Sequence, residues 1–418
     1  MVKTKNDIKI ATIDKFKIIL FCVYILLFYI YGANSNAIIY SEIILVIFLG
    51  LEILTIIKEG KILLPKTIIC LLLFAIFCFI SCLWALNPDK ALIRVKTLFL
   101  LIAFILMSYN FFTRLTDGIQ VLMKIIMYCG LLYSFYVIGY YGIQEFFSML
   151  IAGNVRIGTE LNNVNTMALQ ASITTLLSVF YGLNKNKWYF CLGIIPASIA
   201  LGTGSRKAII LIILSIILLY ILKRNVRSNI KNAIKKACIF SLIIIGIIAL
   251  IKQPIFSNVT GRMEGVINAI KGNGEIDAST KERSLYIKYG IEQFKESPIL
   301  GIGIDNSSDI TLQASGRETY LHNNYIELLA TVGIIGFALY YYLYIIILYK
   351  GILKIKEKNI YGSLVVTIFI SLLVMEFAMV TYFDKSTYIY ILLGTLIIND
   401  DNNIKMQKGK SIEGEKNE

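Results

Sequence analysis

The sequence predicts an all-α fold: a polytopic membrane helix bundle of about twelve transmembrane helices, with one large external loop that contains short helices. Composition is the first observation behind this prediction, because 57% of the 418 residues are hydrophobic and only 16% are charged. A soluble domain of this size needs more charged surface than that. Long apolar runs are the second observation, for example 209–222 and 242–251. The third is that Lys and Arg cluster in alternate connections between such runs.

Apolar stretches of helical length follow one another along the chain. A membrane-spanning helix needs about 20 predominantly apolar residues, and each stretch approaches or reaches that length. The predicted spans are 16–31, 37–57, 65–86, 91–111, 119–141, 163–183, 188–202, 206–222, 237–251, 322–348, 360–381 and 386–398.

The connections between these spans alternate in positive charge, which predicts their side of the membrane, since cytoplasmic connections are enriched in Lys and Arg. In chain order, the enriched segments hold Lys3, Lys5, Lys9, Lys15 and Lys17; Lys58, Lys61 and Lys66; Arg114; Lys185 and Lys187; Lys223, Arg224, Arg227, Lys231, Lys235 and Lys236; and Lys350, Lys354, Lys356 and Lys358. We therefore expect both termini to be cytoplasmic. The net charge of +14 then reflects this bias, and no nucleic-acid partner is expected.

The connection 252–321 is the largest predicted extramembrane segment. The alternation of spans predicts that this connection is external. It carries eight basic and nine acidic residues, which is compatible with an external position because long translocated loops do not follow the charge bias. Apolar residues at helical spacing predict a helix over 284–296 within it. The chain then divides into spans one to nine at 1–251, the external loop at 252–321, spans ten to twelve at 322–398 and a cytoplasmic tail at 399–418.

Several kinds of chemistry lack the residues that they need. All seven cysteines lie in or beside apolar runs, which argues against a disulfide framework and against a thiolate metal site. A single histidine cannot build a zinc site alone, and Asp305 with Asp309 gives weak support for a cation. Neither a Walker-type phosphate loop nor a dinucleotide-binding fingerprint occurs. We therefore expect no cofactor and no metal.

Ionisable residues near the outer ends of the predicted spans indicate a polar site that faces outward. Such groups are costly in a membrane, so each needs a partner or a role. They are Glu42, Arg94, Lys96, Arg206, Glu327 and Glu376. The alternative interpretation is that they snorkel to lipid headgroups or hydrogen bond between helices without forming one site.

The segment Gly202-Thr203-Gly204-Ser205-Arg206 is the strongest local motif. It reads as a flexible turn, then a candidate hydroxyl N-cap, then a helix whose N-terminus points outward. Free amides, the positive end of the helix dipole and the Arg206 guanidinium would converge there, as they do where a phosphate is bound. The motif alone fits an ordinary capped hairpin with a snorkelling arginine equally well.

His322 is the only histidine, and it lies where the external loop enters the tenth span. An ordinary imidazole pKa of about 6.5 suits a general base. A lone histidine at an interface is more often a structural hydrogen-bonding residue, so both interpretations stay open. Glu327, four residues after Asn323 on the same helix face, could orient neighbouring groups or serve as the base instead.

Taken in order, the motifs resemble the bacterial O-antigen ligase and polysaccharide polymerase superfamily. They are Asn162-Asn163-Val164-Asn165; Thr203-Gly204-Ser205-Arg206; Arg283 in the large loop; Ser297-Pro298-Ile299-Leu300-Gly301-Ile302-Gly303; His322-Asn323-Asn324-Tyr325-Ile326-Glu327-Leu328; and Gly333 with Gly336. Two departures concern Lys207, which replaces a small residue, and Tyr286 with Tyr289, which stand where tryptophan is common.

The resemblance implies a glycosyltransferase on the outer face of the bacterial cytoplasmic membrane, working in O-antigen, capsule or other exopolysaccharide synthesis. Its donor would be an undecaprenyl-diphosphate-linked oligosaccharide and its acceptor a second glycan, with membrane lipids, a chain-length regulator and a flippase as partners. Gly204, Ser205, Arg206, Arg262 and Arg283 would hold the diphosphate. His322 would activate the acceptor hydroxyl, with inversion at the anomeric carbon and without a metal.

Three alternatives stay open beside the polysaccharide polymerase, which we favour. An O-antigen ligase would use the same donor but a separate lipid anchor as acceptor. A flippase or transporter for lipid-linked oligosaccharides fits the span count, but the missing internal repeat and the long external loop argue against it. A structural scaffold would leave the histidine and the outer arginines replaceable.

Overall fold

The computed structural model describes residues 12–32, 34, 36–152, 156–161, 163–223 and 278–400. Over these residues the protein is helical and contains no β-strand. The helices are α1 (Thr12–Tyr31), α2 (Ile38–Glu59), α3 (Lys66–Ser81), α4 (Pro88–Arg114), α5 (Gly118–Tyr141), α6 (Ile143–Ala152), α7 (Val164–Asn184), α8 (Trp188–Gly202), α9 (Arg206–Leu222), α10 (Ala278–Glu296), α11 (Ser307–Ser315), α12 (Asn324–Lys356), α13 (Ile360–Glu376) and α14 (Lys385–Ile398). The predicted fold class, an all-α bundle of apolar helices, is confirmed.

Each predicted span that falls on described residues coincides with one of these helices, and the ninth, 237–251, lies outside the described residues. Among the described residues, five helices can cross a membrane by length and composition: α2, α4, α5, α7 and α12. The helices α3, α6, α8, α9, α13 and α14 are also apolar but shorter. The helix predicted over 284–296 forms the greater part of α10.

Two features of the helices differ from the predicted spans. The third span ends early, at Ser81, and α4 begins at Pro88, because the Asn87 side chain caps α4 by accepting a hydrogen bond from the Lys90 amide at 3.2 Å. The short helix α6 was not predicted. It buries Phe146 and Leu150 and leaves the apolar side chains of Ile143, Phe147 and Ile151 exposed.

The connections between helices gather at two ends of the bundle in alternation along the chain. At one end, called the site end below, the Ile157 amide donates to Gly202 O at 2.9 Å and the Leu86 amide donates to Ile302 O at 3.2 Å. At the other end, the Leu63 amide donates to Asn110 Oδ1 at 2.7 Å. The described Lys- and Arg-rich connections lie at this opposite end, as their alternation in the sequence requires.

A buried ionic cluster fastens three helices at the opposite end. Lys17 of α1 lies 3.0 Å from Glu52 of α2, and both side chains are fully buried. Lys17 also donates to Thr55 Oγ1 at 2.6 Å, and Arg114 of α4 pairs with the other oxygen of Glu52. Because each charge has an opposite partner, the cluster can stay ionised inside the bundle.

The helix α12 is interrupted at Gly333, whose φ of 62° and ψ of −169° are open to glycine alone. The segment 297–303 lies against this break. Its Gly303 amide donates to Thr331 O at 2.8 Å, and the Ile334 amide donates to Pro298 O at 2.9 Å. Backbone groups freed by the break are therefore satisfied by the loop, which fixes the loop on the bundle.

Candidate functional site

The N-terminus of α12 carries the candidate base, and two side chains fix it. Asn323 caps the helix, because its Oδ1 accepts hydrogen bonds from the Tyr325 and Ile326 amides at 3.0 and 3.1 Å. The Asn324 side chain reaches across to the α13–α14 connection, where its Oδ1 accepts the Thr381 amide at 2.9 Å. The backbone on both sides of the helix start is thus held in one position.

Glu327 is fully buried one turn into α12. One carboxylate oxygen accepts the Leu321 amide at 2.8 Å, and the other accepts the Ser307 hydroxyl. Glu327 therefore ties the residue before His322 to the start of α11. This geometry suits the predicted orienting role of Glu327, because neither oxygen faces the open side of the site.

His322 lies between two tyrosine rings at the site end. Its ring centroid is 4.2 Å from that of Tyr320 and 6.1 Å from that of Tyr286, whose plane lies within 15° of the imidazole plane. The backbone of His322 is left-handed, with a φ of 56°. This conformation is uncommon for a residue with a Cβ and is enriched at functional sites, where the surrounding structure holds it in place.

Two cations lie within electrostatic reach of His322. Burial, together with the smaller effects of the Arg283 and Lys207 charges, lowers the pKa of His322 from its ordinary value to about 4. At neutral pH the imidazole is therefore uncharged. It can accept a proton, which a general base must do.

Helix α10 presents Arg283 to this site. Arg283, Tyr286 and Gly290 recur at helical spacing on one face, and Tyr286 is buried against the His322 loop. A Cβ at Gly290 would lie 2.5 Å from Ile326 Cγ2, so glycine lets α10 approach the start of α12 closely. Arg283 makes no ion pair with a carboxylate of the described residues. Its charge is thus available to an anion.

The turn between α8 and α9 has the predicted form, but the predicted hydroxyl cap is wrong. Gly204 has a φ of 61°, and α9 begins at Arg206 with Ser205 in the N-cap position. The Ser205 side chain makes no capping hydrogen bond, and in the turn before it the Thr203 hydroxyl accepts the Ser205 amide at 3.2 Å. The side chain of Arg206 and the whole of Arg262 lie outside the described residues.

Lys207 is the site residue that the motif analysis treated only as a departure from the family pattern. It is largely buried, and its Nζ donates to Ala378 O in the α13–α14 connection. Its position directly after Arg206 at the start of an outward-facing helix was the available signal. Lys207 of α9 and Arg283 of α10 thus both act electrostatically on the uncharged imidazole of His322.

The other polar residues predicted at the outer ends have partners of their own. Glu376 is fully buried and accepts hydrogen bonds from Tyr341 at 2.8 Å and Tyr344 at 2.7 Å. This network adjoins Asn324, which donates to the Tyr341 hydroxyl at 2.9 Å. Glu376 thus belongs to a hydrogen-bond network that reaches Asn324 next to the His322 loop, and it does not line the site.

Two further outer residues form ion pairs between segments. Glu42 pairs with Lys385 across the α2 and α14 starts. Arg94 of α4 lies 3.0 Å from Asp305 of the external loop. Glu42 and Arg94 thus each join two segments of the bundle.

The comparison with known protein families matches a part of the chain that includes residues of this site. Residues 191–341 match the family model described as O-antigen ligase, which spans the α8–α9 turn, the external loop and the start of α12. No curated protein matches the chain. The match includes Gly204, Arg283 and His322, whereas the Asn162-Asn163-Val164-Asn165 motif lies before it. Residues 191–341 are thus similar to the O-antigen ligase family, which confirms the predicted resemblance to the O-antigen ligase and polysaccharide polymerase superfamily.

Proposed function

We propose that the protein is a polysaccharide polymerase that moves an oligosaccharide from undecaprenyl diphosphate to a second lipid-linked glycan. One observation carries the proposal: the uncharged imidazole of His322 lies beside Arg283 and Lys207 at the site end of the bundle. This arrangement pairs a proton acceptor with a receptor for an anionic leaving group. Both are needed to transfer a sugar from a diphosphate.

In this proposal the diphosphate lies between α9 and α10. Cleavage of the sugar–phosphate bond builds negative charge on the leaving oxygen, and Arg283 and Lys207 stabilise that charge. The α9 N-terminus adds backbone amides that no side chain caps at Ser205. Gly204 permits the left-handed turn that aims them. Arg206 and Arg262 are assigned to the same diphosphate by the family resemblance and stay predictions.

His322 accepts the proton of the acceptor hydroxyl as that oxygen attacks the anomeric carbon from the face opposite the diphosphate, which inverts the centre. Before substrate binds, burial and two neighbouring cations keep the pKa of the His322 imidazole low. Binding of a diphosphate beside Arg283 and Lys207 offsets their charge, so the imidazole becomes a stronger base when substrate is present. Glu327 acts in this account as a positioning residue.

The membrane side follows from charge. The described basic connections lie at the end opposite the site, and connections rich in Lys and Arg stay in the cytoplasm. We infer that the site faces the outside of the cytoplasmic membrane, with the chain termini inside. Cationic side chains here supply the leaving-group stabilisation that a metal supplies in other transferases, so transfer should continue in the presence of a chelator.

An O-antigen ligase is the second candidate, and the description of the matched family favours it. The two activities share the donor and the chemistry and differ in the acceptor. A polymerase extends another lipid-linked glycan, whereas a ligase requires a separate anchor.

The test uses the purified full chain with short undecaprenyl-diphosphate oligosaccharide from the native pathway, and product length is read on a gel. A ladder of products formed without added anchor supports the polymerase. A single transfer that appears only with an anchor, such as a lipid A core, supports the ligase. Absence of transfer with either acceptor would overturn the proposed function.

A further inference from the structure

A small pocket opens beside Tyr320, whose ring packs on that of His322. Its volume is about 230 Å³, and it lies between the start of α4, the external loop and the α13–α14 connection. The lining includes Lys90, Arg94, Asp305, Glu318, Tyr320 and Phe383. This volume is below the roughly 300 to 1,000 Å³ of sites for drug-sized ligands, which suits a single sugar ring.

The charges that line this pocket compensate one another. Arg94 lies 3.0 Å from Asp305, and Lys90 lies 3.2 Å from Glu318 and 3.9 Å from Asp309. A phosphate would compete with these carboxylates, whereas Arg283 pairs with no carboxylate of the described residues. The pocket therefore suits a neutral ligand better than an anion.

The polar atoms of the pocket suit hydroxyl groups. Carboxylate oxygens of Asp305 and Glu318 can accept from ligand hydroxyls, and Arg94 can donate to them. The Arg94 Nε is buried and has no hydrogen-bond partner among the described residues, so a donor stands ready beside the cavity. Burial raises the pKa of Asp305, and the nearby Arg94 guanidinium opposes the change.

Aromatic rings complete the pocket. The Arg94 guanidinium lies 3.5 Å from the centre of the Phe383 ring, and Tyr320 packs on His322 with ring centroids 4.2 Å apart. Tyr320 thus forms a wall that the pocket and the candidate base share. Aromatic surface with a few convergent polar groups is the usual lining of a small-molecule site.

We propose that this pocket binds the terminal neutral sugar of the acceptor glycan and holds its attacking hydroxyl at His322. The inference rests on the proposed function, because it assigns the acceptor side of the same site. The diphosphate lies toward Arg283 and Lys207, and the acceptor sugar lies toward Arg94 and Asp305. His322 between them meets the hydroxyl and the anomeric carbon that must react.

The test uses a probe that can accept but cannot donate. The native lipid-linked repeat is released by mild acid, which cleaves the sugar–phosphate bond, and its reducing end is converted to an alditol with borohydride. Asp305→Asn and Glu318→Gln change charge without changing size, and asparagine tolerates the Asp305 φ of 62°. Glu296→Gln, an exposed residue of the same loop outside the pocket, is the matched control.

We expect each pocket variant to raise the KM for the alditol by about tenfold, with the KM for the lipid-linked donor unchanged. Direct binding of the alditol, measured by saturation-transfer NMR on the full chain in nanodiscs, should weaken by the same factor. Arg283→Ala should lower the rate of transfer by about 100-fold or more yet still bind the alditol. Wild-type alditol use and binding in both pocket variants would overturn the inference, as would an equal rise in the donor KM.

The two proposals fail in different ways. If the wild-type protein binds the alditol in a manner that depends on Asp305 but transfers no glycan, the pocket assignment is supported and the proposed function is wrong. If it transfers glycan normally and the pocket variants do as well, the proposed function stands and the pocket assignment is wrong. If it neither binds nor transfers, both are overturned.

Discussion

At the scale of single residues, the account depends on the charge state of His322. Burial and the neighbouring cations Arg283 and Lys207 keep its pKa at about 4, well below the ordinary value. A base with a lowered pKa stays uncharged, and so stays active, at pH values where an ordinary histidine would be protonated.

The first prediction concerns pH. In the free enzyme, kcat/KM should stay level as the pH falls through about 6.5 and should decline only as it approaches the lowered pKa of His322. Because Arg283 lowers that pKa, Arg283→Ala should move the acid limb of its residual activity to higher pH. A wild-type limb near the ordinary histidine value, or a limb that Arg283→Ala leaves in place, would contradict the assignment.

The sequence singled out His322 and Arg283 as candidate site residues, because one is the only histidine and both stand in the order that the family shows. It could not identify the partners of His322. Tyr286 and Lys207 become neighbours of the imidazole only when α9, α10 and the α12 start meet in space. The predicted Ser205 cap is wrong, since the Ser205 side chain makes no hydrogen bond to the first amides of α9.

At the scale of elements, the site depends on the break in α12. Hydrophobicity alone predicts one continuous span there, and it cannot show that the helix opens at Gly333 to receive the 297–303 segment. Gly333 and the glycines of the 297–303 segment can be read from the sequence, but the contact between them is long-range and cannot. A Cβ at Gly333 would lie 2.3 Å from Ile299 O, so the loop and the break require each other.

The second prediction follows from this contact. Gly333→Ala should lower the free energy of unfolding by at least about 2 kcal/mol, because the residue has a backbone conformation that only glycine adopts freely and the added carbon meets the loop. Gly139→Ala is the matched control, since Gly139 lies in α5 with nothing near its Cβ position. Equal thermal midpoints for the two variants in detergent would show that the loop does not depend on the break.

At the scale of the whole molecule, the alternation of basic connections along the chain predicted that they gather at one end of the bundle. The described connections do separate in that way. The order and approximate limits of the helices were also accessible from hydrophobicity. Their packing was not, because apolar runs of similar composition do not reveal which helix lies at the centre. In the structure α14 is central, buried from Ser386 to Ile398.

The third prediction concerns the ionic cluster that joins α1, α2 and α4 at the opposite end. Glu52→Ala should cost about 3 to 5 kcal/mol of stability, because it leaves the fully buried Lys17 without its partner. Glu59→Ala removes a partly exposed carboxylate 3.6 Å from Arg114 and should cost at most about 1 kcal/mol. Similar losses in the two variants, measured by thermal unfolding, would contradict this role for the cluster.

The central claim is that the site end transfers glycan from a lipid diphosphate with His322 as the base. The most direct measurement compares the rate of undecaprenyl diphosphate release in the wild-type protein and in His322→Asn, because asparagine accepts the left-handed backbone of this position but cannot take up the proton. We predict one diphosphate released for each glycan transferred by the wild type, and a rate about 100- to 10,000-fold lower in the variant. Release at the wild-type rate from a folded His322→Asn protein would contradict the claim.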